Sequence, residues 1–228
     1  HTPRAITMQE KGLTAADAQF LAGGAAMDGW IAKNLRPGGS DGLAPWSEQD
    51  IAALLKTGRN PHTAVFGGMA EVVSHSTQHM TDGDLRAIAA YLKALPADGA
   101  AAPTRAYDAA AAEALWKGDD RQRGAALYLD NCAACHRSDG KGYQEVFPAL
   151  AGNSAVLSAD AHNLLAIILN GHQVPATATR PSTFTMPAFG WRLSDAQVAD
   201  VASFVRASWG NQAGAVDAAQ AAKLRKKD

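Results

Sequence analysis

The sequence predicts an all-α fold arranged as two tandem domains. Apolar residues recur at helical spacing, and strictly alternating runs are rare. Alanine is abundant while Val and Ile are sparse, which favours helix over sheet. The third observation is a repeat, in which two stretches of the chain carry the same capped helices in the same order.

Ser47 opens the first helix as its N-cap, with Ile51, Leu54 and Leu55 inside and Gly58 at its end. Thr81 caps the next, with Asp84 as a weak capping-box partner and Leu85, Ile88, Ala89 and Leu92 on one face. A linker, 98–117, turns helical between Tyr107 and Trp116. Arg121 to Leu129 reads as a helix that offers Leu127 and Tyr128 for packing. The repeat then resumes. Asp160 caps a helix with Leu164, Ile167 and Ile168, ending near Gly171. Ser194, with Gln197 as box partner, caps one with Val198, Val201, Ala202 and Val205. Tyr91 and Phe204 share an offset, and Met80 and Leu193 precede the caps as staples onto Leu85 and Val198. The domains are therefore 1–97 and 118–212. A tail at 213–228, basic at Lys223, Arg225, Lys226 and Lys227, reads as solvated or frayed. Membrane-surface binding by this tail is the lesser reading, because a strong anchor needs more apolar area or lipid.

Composition narrows the functional class. The 228 residues suffice for two domains, each of about 100 residues, and 47% are apolar, enough for packed cores. A formal net charge of −1 argues against nucleic acid as the main partner. No apolar run approaches the roughly 18 residues that span a bilayer, and Leu164–Leu169 reads as a short buried helix. The abrupt start at His1 fits a mature product or a truncated chain.

The chemistry sits in Cys132-Ala133-Ala134-Cys135-His136, which holds both cysteines of the chain. Cys-x-x-Cys-His is the attachment signature for c-type haem. Two thiols form thioethers to two vinyl groups, and the following histidine lies under the iron. The rival readings are weaker. A redox disulfide would sit in a βαβ context, zinc would want a second ligand pair, and a structural disulfide leaves His136 unexplained. The sixth ligand then decides between electron transfer and catalysis. Met186, in the loop Thr185-Met186-Pro187, is the favoured candidate, with His172 and His162 as alternatives. His162 lies within a helix and reads as solvated. His75 and His79 would form an i, i+4 pair if helical, with no obvious carboxylate partner. Trp191 and Arg192 follow the Met186 loop and are read equally as haem-bordering, core or surface.

These residues resemble a class I cytochrome c domain. The features that carry the likeness are Cys132, Cys135 and His136, then Phe147-Pro148-Ala149-Leu150-Ala151-Gly152-Asn153, then Met186-Pro187 and a closing helix. The resemblance implies that Pro148 packs on His136 and that its carbonyl takes the Nδ1 proton. Nearly all of 1–212 resembles the multi-haem cytochrome c subunits of membrane-associated bacterial alcohol, gluconate, sorbitol and fructose dehydrogenases. The matching stretches are His1-Thr2-Pro3-Arg4, Ala44-Pro45-Trp46-Ser47, Leu55-Lys56-Thr57-Gly58-Arg59-Asn60, Met69-Ala70-Glu71-Val72-Val73 and Ala87-Ile88-Ala89-Ala90-Tyr91-Leu92-Lys93. In that family a Cys-x-x-Cys pair directly precedes His-Thr-Pro-Arg. The resemblance thus implies a C-terminal two-domain fragment, with His1 as the axial histidine of a haem whose cysteines lie outside this sequence. Met69 is then its sixth ligand. The repeat favours Met69 over Met80, since Met80 occupies the staple position.

The implied function is an electron-transfer component rather than a catalytic subunit. Electrons would pass from a dehydrogenase subunit carrying a flavin or quinone cofactor to a quinone or another respiratory acceptor. The implied location is the periplasm or its membrane face, with one covalent haem c and a second site at His1 and Met69. The alternatives are a haem enzyme with an open sixth position (a peroxidase or sulfur-compound oxidoreductase) and a docking module whose first domain is haemless.

Overall fold

The computed structural model describes residues 1–24, 26–39, 41–100 and 106–225. Residues 101–105 of the expected linker, and Lys226 and Lys227 of the expected basic tail, lie outside the described residues. The chain is mainly helical. The first half opens with a long irregular segment interrupted by a short antiparallel ribbon of β1 (Ala26–Met27) and β2 (Trp30–Ile31). Then come α1 (Glu48–Thr57), α2 (Gly68–His75), a single 3-10 turn at Thr77–His79, and α3 (Asp82–Lys93). The second half holds α4 (Ala110–Trp116), α5 (Ala125–Asn131), α6 (Ala133–His136), α7 (Ser154–Leu157) and α8 (His162–Asn170). A second ribbon follows, β3 (His172–Val174) against β4 (Phe184–Met186), then α9 (Asp195–Ala207) and α10 (Ala218–Leu224). No helix among the described residues is long and apolar enough to cross a membrane.

The helix starts follow local chemistry. Ser47 and Ser194 close reciprocal capping boxes with Asp50 and Gln197, satisfying backbone N–H groups that the first turn leaves free. The Thr81 hydroxyl accepts from the Asp84 N–H in the same way. Asp160 differs from expectation. It stands one residue before the N-cap, Ala161, and its carboxylate accepts from the His162 N–H. Gly58 ends α1 in the left-handed conformation at φ 74°.

Apolar side chains gather in separate clusters. Leu43, Trp46, Ile51, Ala89, Leu92 and Leu95 are buried where α1 packs on α3, and a smaller cluster joins Val65, Ala70 and Val73. The larger cluster surrounds Tyr128, Leu165, Val198, Val201 and Phe204, where α5, α8, α9 and α10 meet. α5 crosses α9 closely at Gly124, since a Cβ there would run into the Asp200 backbone. The end of the chain is not frayed. Asp217 caps α10 in a full box, Ala221 is fully buried, and Arg225 donates to the Asp195 carboxylate at 2.7 Å and the Leu193 carbonyl at 2.8 Å. The repeat also diverges inside its helices: Phe204 is buried, whereas Tyr91 at the matching offset is half exposed.

The halves meet along a polar seam. The Asn163 side chain takes both backbone groups of Ile31, accepting from its N–H and donating to its carbonyl at 2.8 Å each. His162, expected to be solvated, bonds the Gly29 carbonyl through Nε2 at 2.9 Å. Asn153 donates to the His62 carbonyl at 3.0 Å, and Lys33 to the Ser154 hydroxyl. Arg59 reaches from the first half to the carbonyls of Glu145 and Ser182, with its guanidinium over the Phe184 ring.

Candidate functional site

α5 delivers the chain to Cys132, which ends that helix and begins the single turn of α6. The turn is closed by His136 N–H donating to the Cys132 carbonyl at 2.9 Å. This places both cysteines and His136 on the wall of one apolar cavity. The two thiols are not joined to each other. Burial, and then the neighbouring Cys135, push the Cys132 thiol up to about 12. Cys132 is therefore not set up as an activated thiolate nucleophile.

His136 is held by its other nitrogen. Nδ1 donates to the Pro148 carbonyl at 2.9 Å, which leaves Nε2 uncommitted on a ring whose residue lines the cavity. Burial keeps this imidazole neutral below its ordinary range, partly offset by the Pro148 carbonyl. A neutral ring oriented through Nδ1 is the form that ligates a metal.

Met186 belongs to β4 rather than to an open loop. It pairs across the ribbon with His172, and His172, Val174, Phe184 and Met186 all line the cavity. Leu164, Ile168, Val201 and Val205 close the apolar wall from α8 and α9. Burial also lowers the His172 imidazole, against the pull of Glu71. Part of the wall comes from the first half: Thr63, Ala64, Val65 and Phe66 line the same cavity. Trp30 packs tilted against Phe66 at 5.2 Å and meets His172 edge-on at 5.9 Å. Nothing in the sequence pointed to 63–66 or Trp30, because their place depends on how the halves dock.

The donor set fits a covalently held haem. Two free thiols, one oriented neutral imidazole and one thioether share an apolar cavity, and among the described residues no group of three or more His, Cys, Asp or Glu side chains forms a metal cluster.

The remaining candidates are placed elsewhere. His1 and Met69 do not line this cavity. Met69 lies in the first turn of α2, not in a loop, and packs against Val65, Ala70 and Val73. His1 repeats the tie of His136: its Nδ1 donates to the Lys33 carbonyl at 2.7 Å, and its carbonyl accepts from Gly23, as that of His136 does from Gly142. His75 and His79 are separated by the break at Ser76, and His75 does have a carboxylate partner, Glu71 at 3.1 Å. Trp191 is 83% exposed, and neither it nor Arg192 lines the cavity.

Known proteins were compared with the chain. A family model described as Cytochrome c matches residues 121–209. The gluconate 2-dehydrogenase cytochrome c subunit of Pantoea cypripedii is 50% identical over 230 residues, covering 99% of this chain and 52% of the relative. The alcohol dehydrogenase (quinone) cytochrome c subunit of Gluconobacter oxydans is 47% identical over 227 residues, covering 99% of this chain and 48% of the relative. Cytochrome c6 of Bumilleriopsis filiformis is 34% identical over 86 residues, covering 38% of this chain and 88% of the relative. The chain thus spans about half the length of the two dehydrogenase subunits it matches.

Proposed function

The chain belongs to the cytochrome c family, and from that premise we propose that it is the electron-carrying part of a periplasmic dehydrogenase complex. The family implies a covalently bound haem c. When bound, that group supplies one-electron exchange between two iron oxidation states.

The chain's own residues do the rest. Cys132 and Cys135 would anchor the group through thioethers, and His136 and Met186 would ligate it. The Pro148 carbonyl orients the His136 ring, and the apolar walls keep water from the iron. A His/Met donor pair would suit electron transfer rather than substrate binding at the iron. The relatives reported above carry names of two dehydrogenase cytochrome c subunits and a cytochrome c6, and none of these names is that of a peroxidase. The observation that carries the proposal is the single apolar cavity lined by both thiols, His136 and Met186.

We read the chain as two tandem class I cytochrome c-like domains, 1–97 and 118–212. The His1–Lys33 tie supports a second haem at His1 and Met69. The partner is a dehydrogenase subunit with a flavin or quinone cofactor that oxidises an alcohol or sugar. The acceptor is a quinone or another respiratory carrier, reached at the membrane face without a spanning helix in the described residues.

Intact mass and an alkaline pyridine spectrum test this directly. One covalent haem per chain is expected, with the Met–iron band present at the red end of the ferric spectrum. C132S/C135S is expected to lose the covalent haem. A chain matured alongside the haem-attachment machinery that still carried none would overturn the proposal. An intact red band after Met186→Leu would remove Met186 from the ligand set.

A further inference from the structure

Among the described residues, three buried side-chain atoms lack a hydrogen-bond partner: Arg59 Nε, Asn131 Oδ1 and His172 Nε2. A buried nitrogen without a partner is unfavourable, so each calls for an explanation. Arg59 satisfies its other nitrogens on backbone carbonyls, and Asn131 donates to the Leu127 carbonyl. Asn131 and His172 both line the haem cavity, but of the two only His172 carries a nitrogen that can ligate iron, and Trp30 meets its ring edge-on.

Its position is specific. His172 stands directly opposite Met186 in the β3–β4 ladder. Opposed residues in an antiparallel pair project from the same face as near neighbours. The backbone just before it is equally constrained. Gly171 has φ 66°, and a Cβ there would meet the Met186 carbonyl at 2.5 Å. Only glycine lets the strand approach Met186 this closely. Trp30 also packs against the imidazole in a T-shaped pair.

We infer that His172 is a reserve iron ligand, standing beside Met186 on the same wall and taking the sixth position whenever the thioether leaves it. This rests on the haem reading of the cavity given above. Imidazole is a strong iron ligand, and the cavity offers Nε2 no competing partner. The exchange keeps the iron six-coordinate, so loss of Met186 does not turn an electron carrier into an open-site haem. It also has a cost: a second imidazole in place of the thioether lowers the potential.

The test uses the full haem-loaded chain. Met186→Leu and Met186→Ala are expected to lose the red-end band yet remain low-spin and six-coordinate, with a lower midpoint potential. Adding His172→Ala to either variant is expected to give a high-spin ferric spectrum. Azide should then bind about tenfold or more tightly, because it no longer displaces a resident ligand. High-spin Met186 variants that bind azide as well as the double variants do would overturn the inference. So would a low-spin state that persists in the double variants. If the Met186 variants do not retain haem, the intact chain and His172→Ala are compared on mild heating that removes the red-end band. The intact chain should pass to a low-spin form and His172→Ala to a high-spin form; identical behaviour would again refute the role of His172. Absence of covalent haem from the parent chain would instead overturn the functional reading, and this inference with it.

Discussion

Two arginines show how single residues hold the loops of this molecule. Arg36 is 2% exposed and donates to the carbonyls of Pro96, Asp17, Phe20 and Ala15 at 2.8–3.3 Å. Arg206 is 3% exposed and donates to the carbonyls of Gly214, Val156 and Ser158. Among the described residues neither forms a salt bridge, although the Asp160 charge supports Arg206; backbone carbonyls meet both charges, and the planar five-donor fork suits several carbonyls at once. Truncation leaves those carbonyls buried and unpaired. We expect Arg36→Met and Arg206→Met each to cost about 2–4 kcal/mol in urea unfolding, with Lys substitutions recovering only part. A loss below about 0.5 kcal/mol would show that water replaces the guanidinium. These roles were not legible in the sequence. Arg206 sits in a helix whose apolar positions were read correctly, yet an arginine there reads as solvent-facing. That Cys132, Cys135 and His136 share one cavity was legible, because they lie within five consecutive residues.

Helices were read best where their signals are local. Ser47, Thr81 and Ser194 are N-caps as expected, and Gly58 closes α1, because a cap depends on a few consecutive residues. We expect Ser194→Ala to cost about 1 kcal/mol in thermal or urea unfolding. The Ser47 box carries a pH signature as well. Burial alone would raise the Asp50 carboxyl, but the Ser47 hydroxyl, the Ser47 N–H and His62 outweigh it and hold it below its ordinary value of 3.8. A lowered folded value means that the unfolded chain binds the extra proton first. The contribution is therefore fully present above pH 3.8 and is lost as the pH falls through the lowered folded value. Asp50→Asn is expected to flatten the acid limb of a stability–pH curve, and an unchanged limb would dismiss the role. The ribbons and α10 escaped the sequence. β3 and β4 have only three residues each, too few for a period to register. The Ala-rich start of α10 shows no apolar stripe, and it is ordered by burial of Ala221 and by Arg225.

At the scale of the whole molecule, the seam between the halves decides most. Asn163 completes the free edge of β2 as a neighbouring strand would, using one side chain to take both groups of Ile31. Asn163→Ala should raise amide exchange at Ile31 roughly tenfold, about 1.4 kcal/mol, while leaving α3 protected. Equal acceleration in both places would mean that the halves unfold together. No local pattern announces such a seam, since Ile31 and Asn163 lie 132 positions apart. The shared cavity wall has a further consequence, one of timing. Residues 63–66 precede in the chain the cysteines they help to enclose. A cavity with walls from both halves is complete only once both have folded and met. On the haem reading proposed above, the thioethers to Cys132 and Cys135 would have to form before the halves close over the cavity, so attachment would precede the docking of Phe66 and Trp30.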